Sequence, residues 1–287
     1  MTEQTALYHL SARLEALLVD RNPRGMAALS QQLESGYAYR AAHLLWANRT
    51  GKILIGTGFP VANTFETDGP AGAMALYEAL DALGADVCLA CPPSLAAVLA
   101  PTHQVIALHS AVSESSLSHC QDSLARFTPD LIVAIEVPGC AADGHYYNIR
   151  GIDISAQCGN FEDFVRASDC PVIAIGDGGN ELGMGSVDPE RAELPIKAAA
   201  TPCTELVIAD VSNWGGYALV AFLGYWANLP FLDRLIERPL LEWLRERGAV
   251  DGVTHASTAT EDGLPMGSGN SVIRGIQSLF TDFSREP

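Results

Sequence analysis

Basic residues are scarce in this sequence: 17 lysines and arginines stand against 34 aspartates and glutamates, a net charge of −17 over 287 residues. A surface of that sign repels nucleic-acid phosphates and anionic lipid headgroups, so nucleic-acid and membrane partners are not expected. Lysine occurs only as Lys52 and Lys197, and neither stands in a setting that suits a Schiff base, which argues against pyridoxal phosphate (PLP). No apolar run reaches the roughly 20 residues of a membrane helix. The most apolar stretch, 217–229, is shorter and is interrupted by Gly224 and Asn228. The first residues include Glu3 and lack the basic segment and apolar core of a secretory leader. GxSxG and Walker loops are missing. Seven scattered cysteines, an odd number, fit reduced thiols and a cytoplasmic location. Cys88 and Cys91 form a CxxC, but Pro92 and Pro93 follow and no second pair or histidine stands at zinc spacing, so two core thiols are expected.

What is present is an apolar fraction of 48%, ample for a large core. Residues 3–20 and 26–49 carry apolar side chains at helical spacing, separated by Asn22-Pro23-Arg24-Gly25, and predict a helical cap over 1–50. From Lys52 onward, β-rich runs at 53–56, 86–90, 105–108, 131–135, 172–175 and 206–209 alternate with helical stretches near 70–83, 93–99 and 113–127. Further helices are expected at 217–228, 233–247 and 270–280, with a polar loop over 248–269. The pattern predicts an α/β fold: a doubly wound, mainly parallel, Rossmann-like three-layer sheet. One domain over 1–287 is expected, with 51–287 forming the catalytic sheet and helices.

Open α/β sheets bind ligands beyond the carboxyl ends of their strands, so the residues following each run matter most. The first run ends in Gly56-Thr57-Gly58, then Glu66-Thr67-Asp68-Gly69-Pro70. This GxG lacks the third glycine of a dinucleotide fingerprint, since Val61 stands there, and NAD is disfavoured. Gly56 and Gly58 can equally be a plain strand-to-helix turn, and Asp68 can equally be the cap of the helix opening at Pro70. The fourth run ends in Glu136-Val137-Pro138-Gly139, followed by Asp143-Gly144-His145 and Arg150-Gly151; a lone His145 reads most simply as a surface residue. The fifth ends in the stretch GDGGNELGMG from Gly176, five glycines in ten residues, whose clustered amides can form an anion nest. The sixth ends in Asp210-Val211-Ser212-Asn213-Trp214, and a late acidic loop contains Glu261-Asp262-Gly263.

Taken in order, GTGFP with ETDGP, EVPG with DGHYYNIRG, GDGGNELGMG and SNWG resemble the D-glutamate cyclase C-terminal domain family, from about Gly56 to about Gly269. The resemblance implies cyclisation of D-glutamate to 5-oxo-D-proline with loss of water. Such a reaction needs a base near the amine and an acid or cation near the side-chain carboxylate, each proton transfer contributing on the order of 10²- to 10⁴-fold. Glu66, Asp68, Glu136, Asp177 and Glu181 are the candidate catalytic acids and bases, since crowded carboxylates raise one another's pKa. Gly56, Thr57, Gly58, Gly178, Gly179 and Asn180 are expected to cradle a carboxylate or oxyanion. Arg150 is expected to offset charge, Asn213 to bind the amino-acid head, and Trp214 either to close the pocket or to pack. Asp177, Glu181 and Glu136 could hold Mg²⁺ or Mn²⁺. The expected partner is a small anionic amino-acid substrate, with a homo-oligomer possible. Two other readings stay open: a metal-dependent hydrolase or phosphoryl-transfer enzyme, and a non-catalytic amino-acid or nucleotide-binding module.

Overall fold

The computed structural model describes residues 2–61, 63–235 and 237–285. Three helices come first, α1 (Glu3–Leu18), α2 (Met26–Ser30) and α3 (Tyr37–Ala47). The stretch expected to be one helix over 26–49 is split, because Gly36 takes a left-handed φ of +93° against the Tyr8 ring, where no side chain would fit. The alternating part follows: β1 (Lys52–Thr57), a hairpin of β2 (Pro60–Val61) and β3 (Thr64–Phe65), α4 (Pro70–Leu83), β4 (Asp86–Cys91), α5 (Pro93–Leu99), β5 (Val105–Ala107), α6 (Ser116–Phe127) and β6 (Leu131–Ile135). It continues with α7 (Phe161–Arg166), β7 (Val172–Gly176), β8 (Glu205–Ile208), α8 (Ser212–Ala227), α9 (Phe231–Arg234), α10 (Glu237–Arg245) and α11 (Ser268–Phe283).

Six strands pair in parallel in the order β5-β4-β1-β6-β7-β8, flanked by helices, which is the three-layer α/β fold expected. Alternate residues of each strand serve opposite layers. Ile53, Ile55, Val133, Ile135, Ile173 and Val207 face the core shared with α4 and α8. Leu54, Ile132, Ala134, Ala174 and Ile208 face the layer that holds Phe161 and Phe164 of α7. Both faces being apolar is why the strands read as unbroken apolar runs. Cys88 and Cys91 are buried on opposite faces of β4 as free thiols.

Strand order reverses at β1: the chain steps outward through β4 and β5, then returns to β6 on the other side. The loops after β1 and β6 therefore part at the sheet's carboxyl edge and leave a crevice there. Behind it lies α8, apolar all round, with Trp214, Tyr217 and Phe222 fully buried. It approaches α4 backbone to backbone: a Cβ on Gly216 would stand 3.0 Å from the Gly72 Cα. Gly216→Ala must push two helices apart, so we expect a loss of ~1–3 kcal/mol, read as a lower urea midpoint at unchanged slope.

The N-terminal helices pack onto this framework, α1 against α11 and α3 against α8 and β8. Among the described residues no helix is long and apolar enough to cross a membrane.

Candidate active site

Each acidic strand end is held in place by a partner distant in sequence. After the β2–β3 hairpin the Thr67 amide donates to the Val250 carbonyl (2.9 Å) and the Val250 amide to that of Phe65 (3.1 Å). This pairing sets the buried Glu66 carboxylate against Gly252, where a Cβ would stand 1.9 Å from Oε2, so only glycine leaves room for it. Asp68 accepts the amides of Gly69 (2.8 Å), Ser212 (2.8 Å) and Asn213 (2.7 Å). It thus caps α8 from 144 residues away rather than the Pro70 helix, which was one of the two roles open to it in the sequence. That cap also explains why α8 opens at Ser212, ahead of the expected start.

Glu136 is the first residue after β6 and holds a φ of +48°, a conformation costing on the order of 1–3 kcal/mol in a non-glycine residue and concentrated at functional sites. Ser212 Oγ donates to its Oε2 at 2.6 Å. Asp177 follows the last residue of β7. Glu181 lies on the Gly-rich run, which is stitched to the loop after β6 by Gly139 N–H donating to Asn180 O (2.9 Å) and Leu182 N–H to Val137 O (2.9 Å). The Gly179 amide donates to Glu181 Oε2 (2.8 Å), so part of the expected anion nest is taken by the protein's own carboxylate.

These segments enclose a cavity of about 270 Å³. Glu66, Glu136, Asp177 and Glu181 form its buried end; Gly178, Asn180 and the exposed Arg150 also line it. Asp68 stands just behind: one ligand atom each from Asp68, Glu136 and Asp177 lie within 4.8 Å of one another. An all-oxygen buried donor set, with other oxygens held by the Ser212 and Asn213 amides, the Ser212 hydroxyl and Arg24, can hold a hard divalent cation. Glu181, expected among those ligands, falls outside the group, and Asp68 takes its place because its cap on α8 draws it inward.

Two members were not among the expected site residues. Arg24, in the turn read only as a helix break, donates through Nη2 to Asp177 Oδ2 (2.6 Å), Asp262 Oδ2 (2.8 Å) and the Asp210 carbonyl (2.7 Å). Asp210 aims that turn by accepting the amides of Arg21 and Asn22, both at 2.9 Å. Asp262 belongs to the late acidic loop. That loop is folded around the fully buried Asp251, whose carboxylate accepts the amides of Val253, Thr254 and Gly263.

The remaining expected residues sit elsewhere. Gly56 lies beneath the Phe161 ring and Gly58 beside Pro92, each where a Cβ would collide. Thr57 is buried and its hydroxyl has no partner among the described residues. None of the three lines the cavity, and neither does Gly179, which packs on Ile196. Asn213 is consumed by the Thr67 carbonyl, Glu261 and the Gly72 amide, and Trp214 Nε1 reaches Glu261 at 3.3 Å, so both act behind the cavity wall. His145 is exposed and pairs with Asp153.

Burial and mutual repulsion set the protonation of the cluster. Burial first, then Asp262 and Asp68, pushes Glu66 well above the usual carboxylate range. Burial with Glu181 and Glu66 does the same to Glu136. Asp177 also rises through burial although Arg24 pulls it back, and burial raises Glu181 against its amide bonds. Asp68 is pushed up to about 7 by burial and Asp262. Acids whose folded pKa is raised stabilise the fold while protonated, fully below the unfolded value near 4, and lose that contribution as pH climbs through the folded value. In chelator, Tm should therefore fall between about pH 4 and 7, by ~2–4 °C for each kcal/mol lost. Mn²⁺ should flatten the upper part of the profile. A flat calorimetric profile in chelator would contradict the cluster's protonation.

A model of the family described as D-glutamate cyclase-like, C-terminal, matches residues 14–277. Human mitochondrial D-glutamate cyclase is 35% identical over 198 residues, covering 60% of this chain and 32% of that protein. The chain thus spans about a third of that relative's length. Among solved structures, the exonuclease RecJ bound to manganese gives a TM-score of 0.40 at 15% identity, over 88% of this chain and 66% of that one. RecJ from Thermus thermophilus in complex with Mn²⁺ gives 0.38 at 15% identity, over 99% and 44%.

Proposed function

This chain belongs to the D-glutamate cyclase-like C-terminal family, and from that premise we propose that it cyclises D-glutamate to 5-oxo-D-proline with loss of water, a lyase reaction. The observation that carries the reading is the cavity at the strand-order reversal, where carboxylates of raised pKa crowd beside Arg24, whose side chain is 18% exposed. The name of the human relative supports the choice of substrate.

The α-amine must lose a proton before it can attack, and the side-chain carboxyl must lose its charge before it can be attacked. A cluster that holds some acids protonated and others ionised meets both needs at one pH. Ionised carboxylates among Glu66, Glu136 and Glu181 take two protons from the ammonium, one before attack and one as the amide forms, and protonated neighbours deliver two to the departing oxygen. The C–N bond forms, the C–O bond breaks, and water leaves. Arg24 sets the charge of the buried end, and Arg150 at the mouth offsets the substrate's α-carboxylate. Asp68, Glu136 and Asp177 would hold Mg²⁺ or Mn²⁺, which when bound supplies Lewis-acid polarisation and neutralises charge.

The test incubates the pure protein with D- or L-glutamate, with Mg²⁺, Mn²⁺ or chelator, and follows 5-oxoproline by mass spectrometry. Product from the D form is expected; none under any condition sinks the reading. The three-carboxylate group also suits metal-dependent hydrolysis or phosphoryl transfer, and release of phosphate from a panel of phosphate esters with Mn²⁺ would favour that instead.

A further inference from the structure

The three carboxylates within reach of one cation come from three separate loops, Asp68 after the β2–β3 hairpin, Glu136 after β6 and Asp177 after β7. Like charges push such ligands apart, so a cation site needs groups that hold their oxygens at a fixed separation. Arg24 holds Asp177, at 2.6 Å. Asp68 and Glu136 share a single holder, Ser212.

Ser212 opens α8 and has no exposed surface. Its N–H donates to Asp68 Oδ2 (2.8 Å) and its Oγ donates to Glu136 Oε2 (2.6 Å). Among the described residues no other bonds to two of the three carboxylates: Gly69 and Asn213 reach Asp68 alone, and Arg24 reaches Asp177 alone. Behind Ser212 the helix is buried without a break through Gly224, which makes it a firm base. A carboxylate offers about four acceptor positions. Asp68 Oδ1 gives both of its own to the Gly69 and Asn213 amides, so the position left for a cation is on Oδ2, the oxygen that Ser212 holds. A separate observation points to a ligand at the same place. Thr57 is 1% exposed, its hydroxyl has no partner among the described residues, and it lies beside Gly69 and Glu136: a Cβ on Gly69 would stand 2.9 Å from Thr57 Oγ1 and 2.6 Å from Glu136 Cβ. Buried hydroxyls are ordinarily paired, and a water carried by a cation would pair this one.

We propose that Ser212 is the positioning residue of the cation site, its N–H and O–H fixing the ligand oxygens of Asp68 and Glu136 relative to each other and so setting the affinity for Mn²⁺ or Mg²⁺; this rests on the cation part of the function proposed above, not on cyclisation. Without the hydroxyl, Glu136 Oε2 loses its one donor, and the side chain turns away from Glu181 and Glu66, the carboxylates that press on it.

The test titrates Mn²⁺ into chelator-stripped wild type, S212A, S212G and S212T, and reads free Mn²⁺ by its electron paramagnetic resonance signal. S212A and S212G delete the hydroxyl but keep the N–H on Asp68, and should bind about 10- to 100-fold more weakly. S212T keeps both groups and should stay close to wild type, a rescue that a purely structural role would not give. Thermal scans in chelator establish that each variant is folded; if S212T is not, the two deletions decide alone. Wild-type affinity in folded S212A or S212G, or a folded S212T as weak as those two, overturns the proposal. Failure of both deletions to fold overturns it as well, since Ser212 would then be a structural residue. If wild type binds no Mn²⁺, the cation site itself is lost and the proposal with it, while the 5-oxoproline assay still decides cyclisation separately.

Discussion

Asp177→Asn and Glu136→Gln should each remove turnover, by on the order of 10²- to 10⁴-fold or more, while leaving the fold at least as stable as wild type in chelator at pH 8. The two halves of that expectation come from one cause. Burial and neighbouring carboxylates raise both groups well above the ordinary range, so ionising them at neutral pH costs stability. An amide copies the protonated form and removes that cost. It can neither take a proton from an amine nor contribute a charged ligand to a cation. Asp177→Asn leaves Arg24 its Asp262 partner at 2.8 Å, so the arginine is not stranded. Turnover assays with thermal scans on the same samples check this; wild-type rates in both variants would separate these loops from the chemistry.

Arg24→Met should have the opposite profile. The guanidinium is the cation at the buried end and lies between Asp177 and Asp262. Removing one partner of a largely buried ion pair costs up to about 3–5 kcal/mol, because the carboxylates left behind lose their counter-ion. The loss should be largest at pH 8 in chelator and should shrink toward pH 5, where the carboxylates take up protons. Adding Asp177→Asn should restore part of it, since the two positions share one interaction and their effects do not add. Urea titrations of the four proteins at both pH values read the coupling directly. A loss independent of pH and strictly additive with Asp177→Asn would assign Arg24 to packing alone.

The strands were the most legible part of the chain. Runs such as Leu131–Ile135 and Val172–Gly176 announce themselves because both faces of a parallel sheet are apolar. Short elements were not visible: α7 is six residues, FEDFVR, and the β2–β3 hairpin has two residues per strand, too little for a period to register. Within the candidate site, Glu136, Asp177 and Glu181 were legible because they stand in the loops just past strands of obvious character, and Glu66 because an acidic ETDGP segment stands between the first strand and the helix opening at Pro70. Arg24 was not, since a single arginine in a turn carries no pattern. Glycine density misled in part: Gly56 and Gly58 are small for the sake of Phe161 and Pro92, and a glycine required by packing reads the same in sequence as one required by a ligand.

By itself the sequence determined the layer architecture, the parallel sheet and the concentration of acidic residues just past its strands, because these follow from local periodicity and composition. Only the tertiary structure decided which acids share a space, that Asp68 joins Glu136 and Asp177, and that Arg24 closes the buried end. The reason is range. Periodicity is a property of neighbouring residues, whereas a carboxylate's protonation and ligands depend on groups within a few ångströms that the chain brings from far away, such as Arg24 to Asp177 across 153 residues.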